Sequence, residues 1–270
     1  MNHHYSLAQL IALPLTPPQM LRLAAEVNLP FAGIRLLPTA PGGLHYPLMD
    51  DPALLRETLA VIAGTGTRVL DLEVVRIAAD FDVSRYTAFM AVGQQLGAKH
   101  ILVAGDDADE ARTTANFAAL CEAAAHHGLT CDLEFMPWTE VPNLRSAKRI
   151  VAASAQPNAG VLVDALHFAR SDSRLDELDD IPRAWLHYAQ ICDGAVPGPS
   201  SVEGMVFDAR CERLLPGEGG IDLHALFARL PADITVSIEV PSESRAATMG
   251  HAAWAAKARD ATFTLLGTAA

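Results

Sequence analysis

Cysteine is scarce in this chain of 270 residues. Cys121, Cys131, Cys192 and Cys211 form no CxxC pair, so they read as reduced, buried thiols that pack as small hydrophobes, and no chemistry is assigned to them. Basic residues are in deficit: 20 Lys and Arg against 32 Asp and Glu give a net charge of −12 and a pI near 5.2. Such a surface repels a phosphate backbone, which excludes nucleic acid as an expected partner. Long apolar runs are missing too. No stretch approaches the roughly 20 continuous apolar residues that span a bilayer, and the opening MNHHYSLAQL has no basic region followed by an apolar run. No membrane partner is therefore expected, and the expected location is the cytoplasm. Linkers rich in Pro, Gly or Ser are also lacking. Residues 1–270 read as a single domain, a length that barrels of roughly 250 residues commonly reach.

What is present is apolar and periodic. Half the residues are hydrophobic and 19% are charged, enough to bury a large core. Apolar runs of strand length fall at residues 7–13, 31–37, 68–74, 100–104, 129–135, 160–164, 185–191 and 234–240, separated by longer amphipathic runs. Eight strands alternating with eight helices predict an α/β fold, a (β/α)8 barrel. Helix starts are marked by Thr16 before Pro17 and Pro18, and by Asp51 before Pro52. A helix in DEARTTANFAALCEAAAHHG is expected to close on Gly128, and SRAATMGHAAWAAKARDATFTLLG is expected to form the eighth. Two connections, residues 38–51 and 194–220, are long for β-α loops. At the carboxyl face of a barrel such loops form active-site walls and lids.

Side chains two apart share a strand face, so the last run places Thr235, Ser237 and Glu239 opposite Ile234, Val236, Ile238 and Val240. The fifth run does the same with Thr130, Asp132 and Glu134. The sixth ends in Asp164, and the seventh turns Gln190 inward. Three carboxylates and an amide oxygen thus end four consecutive strands. With no Lys or Arg near those strand ends, a metal cation is the expected neutralising partner. An all-oxygen set suits Mn2+ or Mg2+, with Co2+ or Zn2+ as further possibilities. His187 falls on the opposite face of its strand and reads as packing or outer-layer hydrogen bonding. Arg35 either binds an anionic group or pairs with Glu73 or Asp71. PGEGG at 216–220 lacks the phosphate-loop pattern and reads as a turn leading to Asp222 and a helix.

The order Glu134, then DALHFARS with Asp164 and His167, then YAQICDG with Gln190, RLLPGEGGIDL, and IEVPS with Glu239 resembles the xylose-isomerase-like TIM-barrel superfamily. That superfamily includes sugar-phosphate isomerase/epimerases, hydroxypyruvate isomerase, inosose dehydratase, dehydroshikimate dehydratase and endonuclease IV. The resemblance implies one divalent ion held by Glu134, Asp164, Gln190 and Glu239. It further implies that Glu134 and Glu239 are acid/base groups on opposite faces of a substrate, and that His167 of the D-x-x-H pattern is a catalytic or substrate-binding histidine. Gln190 stands where epimerase members carry His, as in the hydroxypyruvate isomerase and dehydroshikimate dehydratase branches. The extra histidines of the endonuclease IV three-zinc site have no counterpart at these strand ends.

The function so implied is a metal-dependent isomerase or epimerase acting through an enediolate on a small hydroxy-carbonyl compound, a sugar, sugar phosphate or sugar acid. The alternatives are a metal-dependent dehydratase on the same scaffold and a non-catalytic binding protein. Arg210 in the long seventh loop, with Arg213 as its rival, together with Arg35 and Trp138, are the candidate substrate-binding residues. Phe168 reads as pocket wall or core. The expected partner is a small-molecule substrate, and a homo-oligomer is compatible with this reading.

Overall fold

Strand-length apolar runs pair only with their sequence neighbours and with the chain's own first run. In the computed structural model, which describes residues 3–267, the eight strands are β1 (Tyr5–Leu7), β2 (Phe31–Arg35), β3 (Arg68–Ile77), β4 (His100–Gly105), β5 (Thr130–Glu134), β6 (Ala159–Asp164), β7 (Tyr188–Ile191) and β8 (Thr235–Ile238). All pairings are parallel, and β8 pairs with β1 to close the barrel in sequence order. The expected (β/α)8 barrel is the observed fold.

Outward side chains such as Ile101, Val103, Cys131 and Leu133 join the large apolar layer between strands and helices. Inward ones, including Leu70, Leu102, Ala104, Leu162 and Tyr188, form a smaller cluster inside the barrel. The α-helices are α1 (Pro17–Glu26), α2 (Pro52–Thr65), α3 (Thr87–Leu96), α4 (Glu110–Ala125), α5 (Leu144–Ser154), α6 (Ala165–Arg170), α7 (Val202–Cys211), α8 (Leu223–Arg229), α9 (Glu243–Met249) and α10 (His251–Leu266). The two proline-marked starts hold. Thr16 N–H donates to Gln19 Oε1 at 2.9 Å, and Asp51 accepts from the Ala53 and Leu54 amides at 3.1 and 2.9 Å. Among the described residues no helix is long and apolar enough to cross a membrane.

Several boundaries differ from expectation. The first strand lies at Tyr5–Leu7, earlier than residues 7–13, because the chain turns at once into a 3-10 helix over Gln9–Ala12. The seventh begins at Tyr188, since Arg183–Trp185 forms another 3-10 turn, and the eighth stops at Ile238, one residue before Glu239. Helix α4 ends at Ala125, ahead of Gly128. The eighth expected helix is two, because Gly250 adopts φ +84° between α9 and α10. The seventh connection is not mere loop: it contains α7.

Candidate functional site

Parallel pairing from β5 to β8, without a register shift, brings the strand-end residues to one mouth. Asp164 stands beside Gln190 and Gln190 beside Ser237, while the Glu239 amide bonds the Ile191 carbonyl at 3.1 Å just past β8. Asp164 ends β6 and caps α6, its Oδ1 accepting from the His167 amide at 2.9 Å. The D-x-x-H spacing is therefore the cap-to-third-residue spacing of a helix start. It sets the imidazole beside Glu134, with Nε2 3.7 Å from Oε1, and edge-on to Trp138 at 5.0 Å between ring centroids.

The other Asp164 oxygen corrects an expectation. Arg213 places Nη1 2.6 Å from Asp164 Oδ2 and Nη2 2.8 Å from Glu239 Oε2. A basic residue does reach these strand ends, delivered by the seventh connection. Its Nε donates to the Ala209 carbonyl of α7 at 2.8 Å, and its amide bonds the Pro241 carbonyl at 2.8 Å. The hairpin that carries it is anchored by Asp193, whose carboxylate accepts from the amides of Gly217, Gly219 and Ile221 at 2.9–3.1 Å. Sequence reasoning missed Asp193. The signal was there in CDG followed by PGEGG, since a Cβ on Gly219 would lie 2.3 Å from Asp193 Oδ1. As expected, Asp222 then caps α8, accepting from the Ala225 amide.

Arg35 and Glu73 form the ion pair weighed above, Nε and Nη2 both reaching Glu73 Oε2 at 2.9 and 2.5 Å. That leaves Arg35 its Nη1 hydrogens and the second Nη2 hydrogen for a substrate. Asp71 is not its hydrogen-bonding partner: among the described residues both its buried oxygens lack one, and burial, with Glu73 next, pushes its carboxyl well above the usual range. Phe168 belongs to the core.

Glu134, His167, Trp138, Arg35, Arg213 and Glu239 line one cavity of about 210 Å3, with Arg210 at its edge. This volume is below the roughly 300–1,000 Å3 of drug-sized sites. Among the described residues Arg210 makes no ion pair or side-chain hydrogen bond. It is half-buried, and burial followed by Arg76 and Arg35 lowers its pKa; the three gather at the mouth, Arg76 paired with Asp106 and Arg35 with Glu73.

Beneath this rim lie three buried carboxylates, of which Asp164 and Glu239 pair with the Arg213 guanidinium and Glu134 does not. Burial, then Asp164 and Glu239, raise the Glu134 pKa well above its ordinary value. Burial pushes Glu239 to about 7 against the pull of Arg213. Burial also acts to raise Asp164, but Arg213 and His167 outweigh it and its pKa falls. Burial lowers His167 to about 4, so its ring is neutral. Among the described residues both amide atoms of buried Gln190 lack partners. Donor atoms of Glu134, Asp164 and His167 lie within 4.8 Å of one another, a spacing that could hold a metal ion. Three carboxylates set against one guanidinium, beside an orphaned amide, fit a dication. The convergence differs from expectation in two respects: His167 joins the compact group, and Glu239 turns to Arg213.

Among solved structures, that of the IolI protein with a bound zinc atom matches with a TM-score of 0.81 at 18% identity, covering 98% of each chain. A xylose isomerase-like TIM barrel/4-hydroxyphenylpyruvate dioxygenase fusion protein matches at 0.80 and 19% identity, over 98% of this chain and 43% of that one. D-allulose 3-epimerase from Methylomonas sp., in complex with D-allulose, matches at 0.71 and 15% identity over 97% of each chain. Identities this low establish a shared fold and no more. Among curated proteins none matches the chain significantly. The sequence profile of the xylose isomerase-like TIM barrel family, however, matches residues 21–262, and the chain belongs to that family.

Proposed function

We propose that the protein is a divalent-metal-dependent isomerase or epimerase of a small hydroxy-carbonyl compound such as a sugar or sugar acid. The observation that carries this reading is the pair Glu134 and Glu239, two buried carboxylates, one ending β5 and one just past β8, that line one small cavity. Glu134, Asp164, Gln190 and Glu239 would hold the ion, with His167 beside Glu134. When bound, such an ion polarises a carbonyl and stabilises the negative charge that develops as the neighbouring carbon loses its proton. The zinc in the IolI structure and the allulose in the epimerase structure support the reading by analogy. An oxygen-rich donor set favours Mn2+ or Mg2+.

The chain's own groups then divide the work. Glu134 takes or returns a proton on one face of the substrate and Glu239 on the other. His167, held neutral, offers a hydrogen bond to a substrate oxygen. Trp138 excludes water on one side, and Arg210 binds an anionic or polyhydroxylated end. Arg213 keeps Asp164 and Glu239 aimed. Proton return at the neighbouring atom is isomerisation, and return on the opposite face is epimerisation.

The test is NMR of candidate ketoses and keto acids in deuterated water with Mn2+- or Mg2+-loaded protein. Deuterium is expected on the carbon next to the carbonyl, lost on chelation and restored by the metal, with circular dichroism unchanged throughout. Release of water from the substrate would assign the dehydratase alternative instead. Exchange that survives complete chelation would remove the metal from the proposal.

A further inference from the structure

The opposite, amino-terminal mouth of the barrel gathers a second group of ligand-type side chains. His100 opens β4, Asp132 lies within β5, and His187 immediately precedes β7. Asp132 is fully buried. Its Oδ1 lies 2.7 Å from His187 Nδ1, and its Oδ2 lies 2.7 Å from the Thr130 hydroxyl and 3.6 Å from His100 Nδ1. His187 was expected to pack or hydrogen-bond in the outer layer; it does hydrogen-bond, but β7 begins only after it, so strand alternation does not apply and its ring turns onto Asp132.

Donor atoms of the three residues lie within 4.8 Å of one another. The two imidazole side chains keep 13% and 18% of their exposure, which leaves a path from solvent. Gly160 on β6 keeps the space between them open, since a Cβ there would lie 2.3 Å from Asp132 Oδ1 and 2.6 Å from His187 Nδ1.

We propose that His100, Asp132 and His187 form a structural site for one Zn2+-like transition-metal ion, separate from the cavity at the carboxyl face. Two imidazoles and one carboxylate are donors that Zn2+ accepts and that Mg2+ does not favour, and the open side admits a water as fourth ligand. Donors about 2.1 Å from a tetrahedral ion stand about 3.4 Å apart. The separation of 3.6 Å between His100 and Asp132 already matches. The 2.7 Å between His187 and Asp132 is a hydrogen bond, whose proton occupies the ion's place.

Binding displaces that proton, which leaves to solvent from an imidazolium or shifts to Nε2 of a neutral ring, and widens the contact by about 0.7 Å, while His100 carries its proton on Nε2 and gives up its 2.7 Å hydrogen bond from Nδ1 to the Thr130 hydroxyl. The two rings are nearly parallel, 13° apart at 5.6 Å, so one must turn to aim at a common point. His187 is the more exposed, whereas His100 also stacks on Tyr188. The Thr130 hydroxyl continues to hold Asp132 Oδ2. The ion ties β4 and β5 to the start of β7 at the face where a barrel's residues serve stability and not chemistry.

Zn2+ titration of chelator-stripped full-length protein, with 15N NMR of its histidine rings, tests the site. The Nδ1 signals of His100 and His187 are expected to move together to metal-bound positions. Elemental analysis of dialysed protein should find one equivalent fewer in His187→Gln and in His100→Gln, with affinity at this site at least tenfold weaker. An Asp164→Asn variant should retain that equivalent. If both ring signals stay unmoved in the wild-type protein at saturating Zn2+, the proposal is wrong, and that readout needs no variant to fold.

Discussion

The two mouths of the barrel solve one problem in different ways. Each buries carboxylates on inward strand positions, and each must neutralise them. At the carboxyl face Asp164 and Glu239 share Arg213, a cation that never loses its charge, brought in by a connection long enough to include α7 and a hairpin. At the amino face Asp132 is met by His187 and Thr130 from the β strands or their immediate approach. A histidine can give up its proton; an arginine cannot. The carboxyl face is therefore held aimed and still short of positive charge, whereas the amino face is balanced by a proton that an ion can replace.

The sharpest way to break this comparison is at Glu239. Glu239→Gln keeps an acceptor for Arg213 but removes the proton carrier, so deuterium exchange into substrate should fall by about 10^2 to 10^4-fold with the fold unchanged. Exchange at the wild-type rate would take Glu239 out of the chemistry and would make the carboxyl face a structural charge cluster like its counterpart.

Next in size is Arg213→Met. Removing the guanidinium leaves two buried carboxylates without their partner, and stability should drop by about 3–5 kcal/mol in urea unfolding. Mn2+ should recover part of that loss by filling the vacated charge, a recovery that metal binding to the folded state alone produces. Unchanged stability in the metal-free variant would show that the pair is not needed to balance the site.

A smaller effect belongs to Arg210→Ala. Its unpaired guanidinium borders the cavity, and its loss should lower kcat/KM for an anionic or polyhydroxylated substrate about tenfold, roughly 1.4 kcal/mol, with metal affinity nearly unchanged. If Arg213 proves to carry that contact instead, kcat/KM will hold in Arg210→Ala, and the rim cluster becomes a steering field.

What could be read from the sequence follows the reach of local rules. Alternation over 129–135 and 234–240 assigned Glu134 and Glu239 to the inward face, because a strand's period of two has no other solution once one face is apolar. The same rule misplaced the first strand, since the apolar run through Leu13 continues past the point where the backbone turns, and periodicity carries no mark of that turn. It misjudged His187 because β7 was begun three residues early. Arg213 was illegible as a partner for a different reason. It lies 49 residues from Asp164 in sequence, and only the hairpin folded around Asp193 brings it there.

The smallest effect is at the amino face and gives the comparison its control. Thr130 bridges His100 Nδ1 and Asp132 Oδ2, at 2.7 Å to each. Thr130→Val preserves shape and β-branching but removes the hydroxyl, so buried Asp132 keeps His187 and loses its second donor. The cost of one lost hydrogen bond to a charged, buried acceptor is about 1–3 kcal/mol, and the low end applies because Thr130 is only partly buried and water can enter. Thermal unfolding should therefore shift down by a few degrees, about 2–4 °C per kcal/mol for a chain of this size. Deuterium exchange into substrate should stay within about twofold of wild type, because the amino-terminal face of a barrel serves stability, not chemistry. A drop in exchange as large as that at Glu239 would mean that the two mouths communicate through the buried polar interior. The unpartnered hydroxyls of Tyr188 and Ser237 and the Asp71 carboxyl would then be the groups to examine.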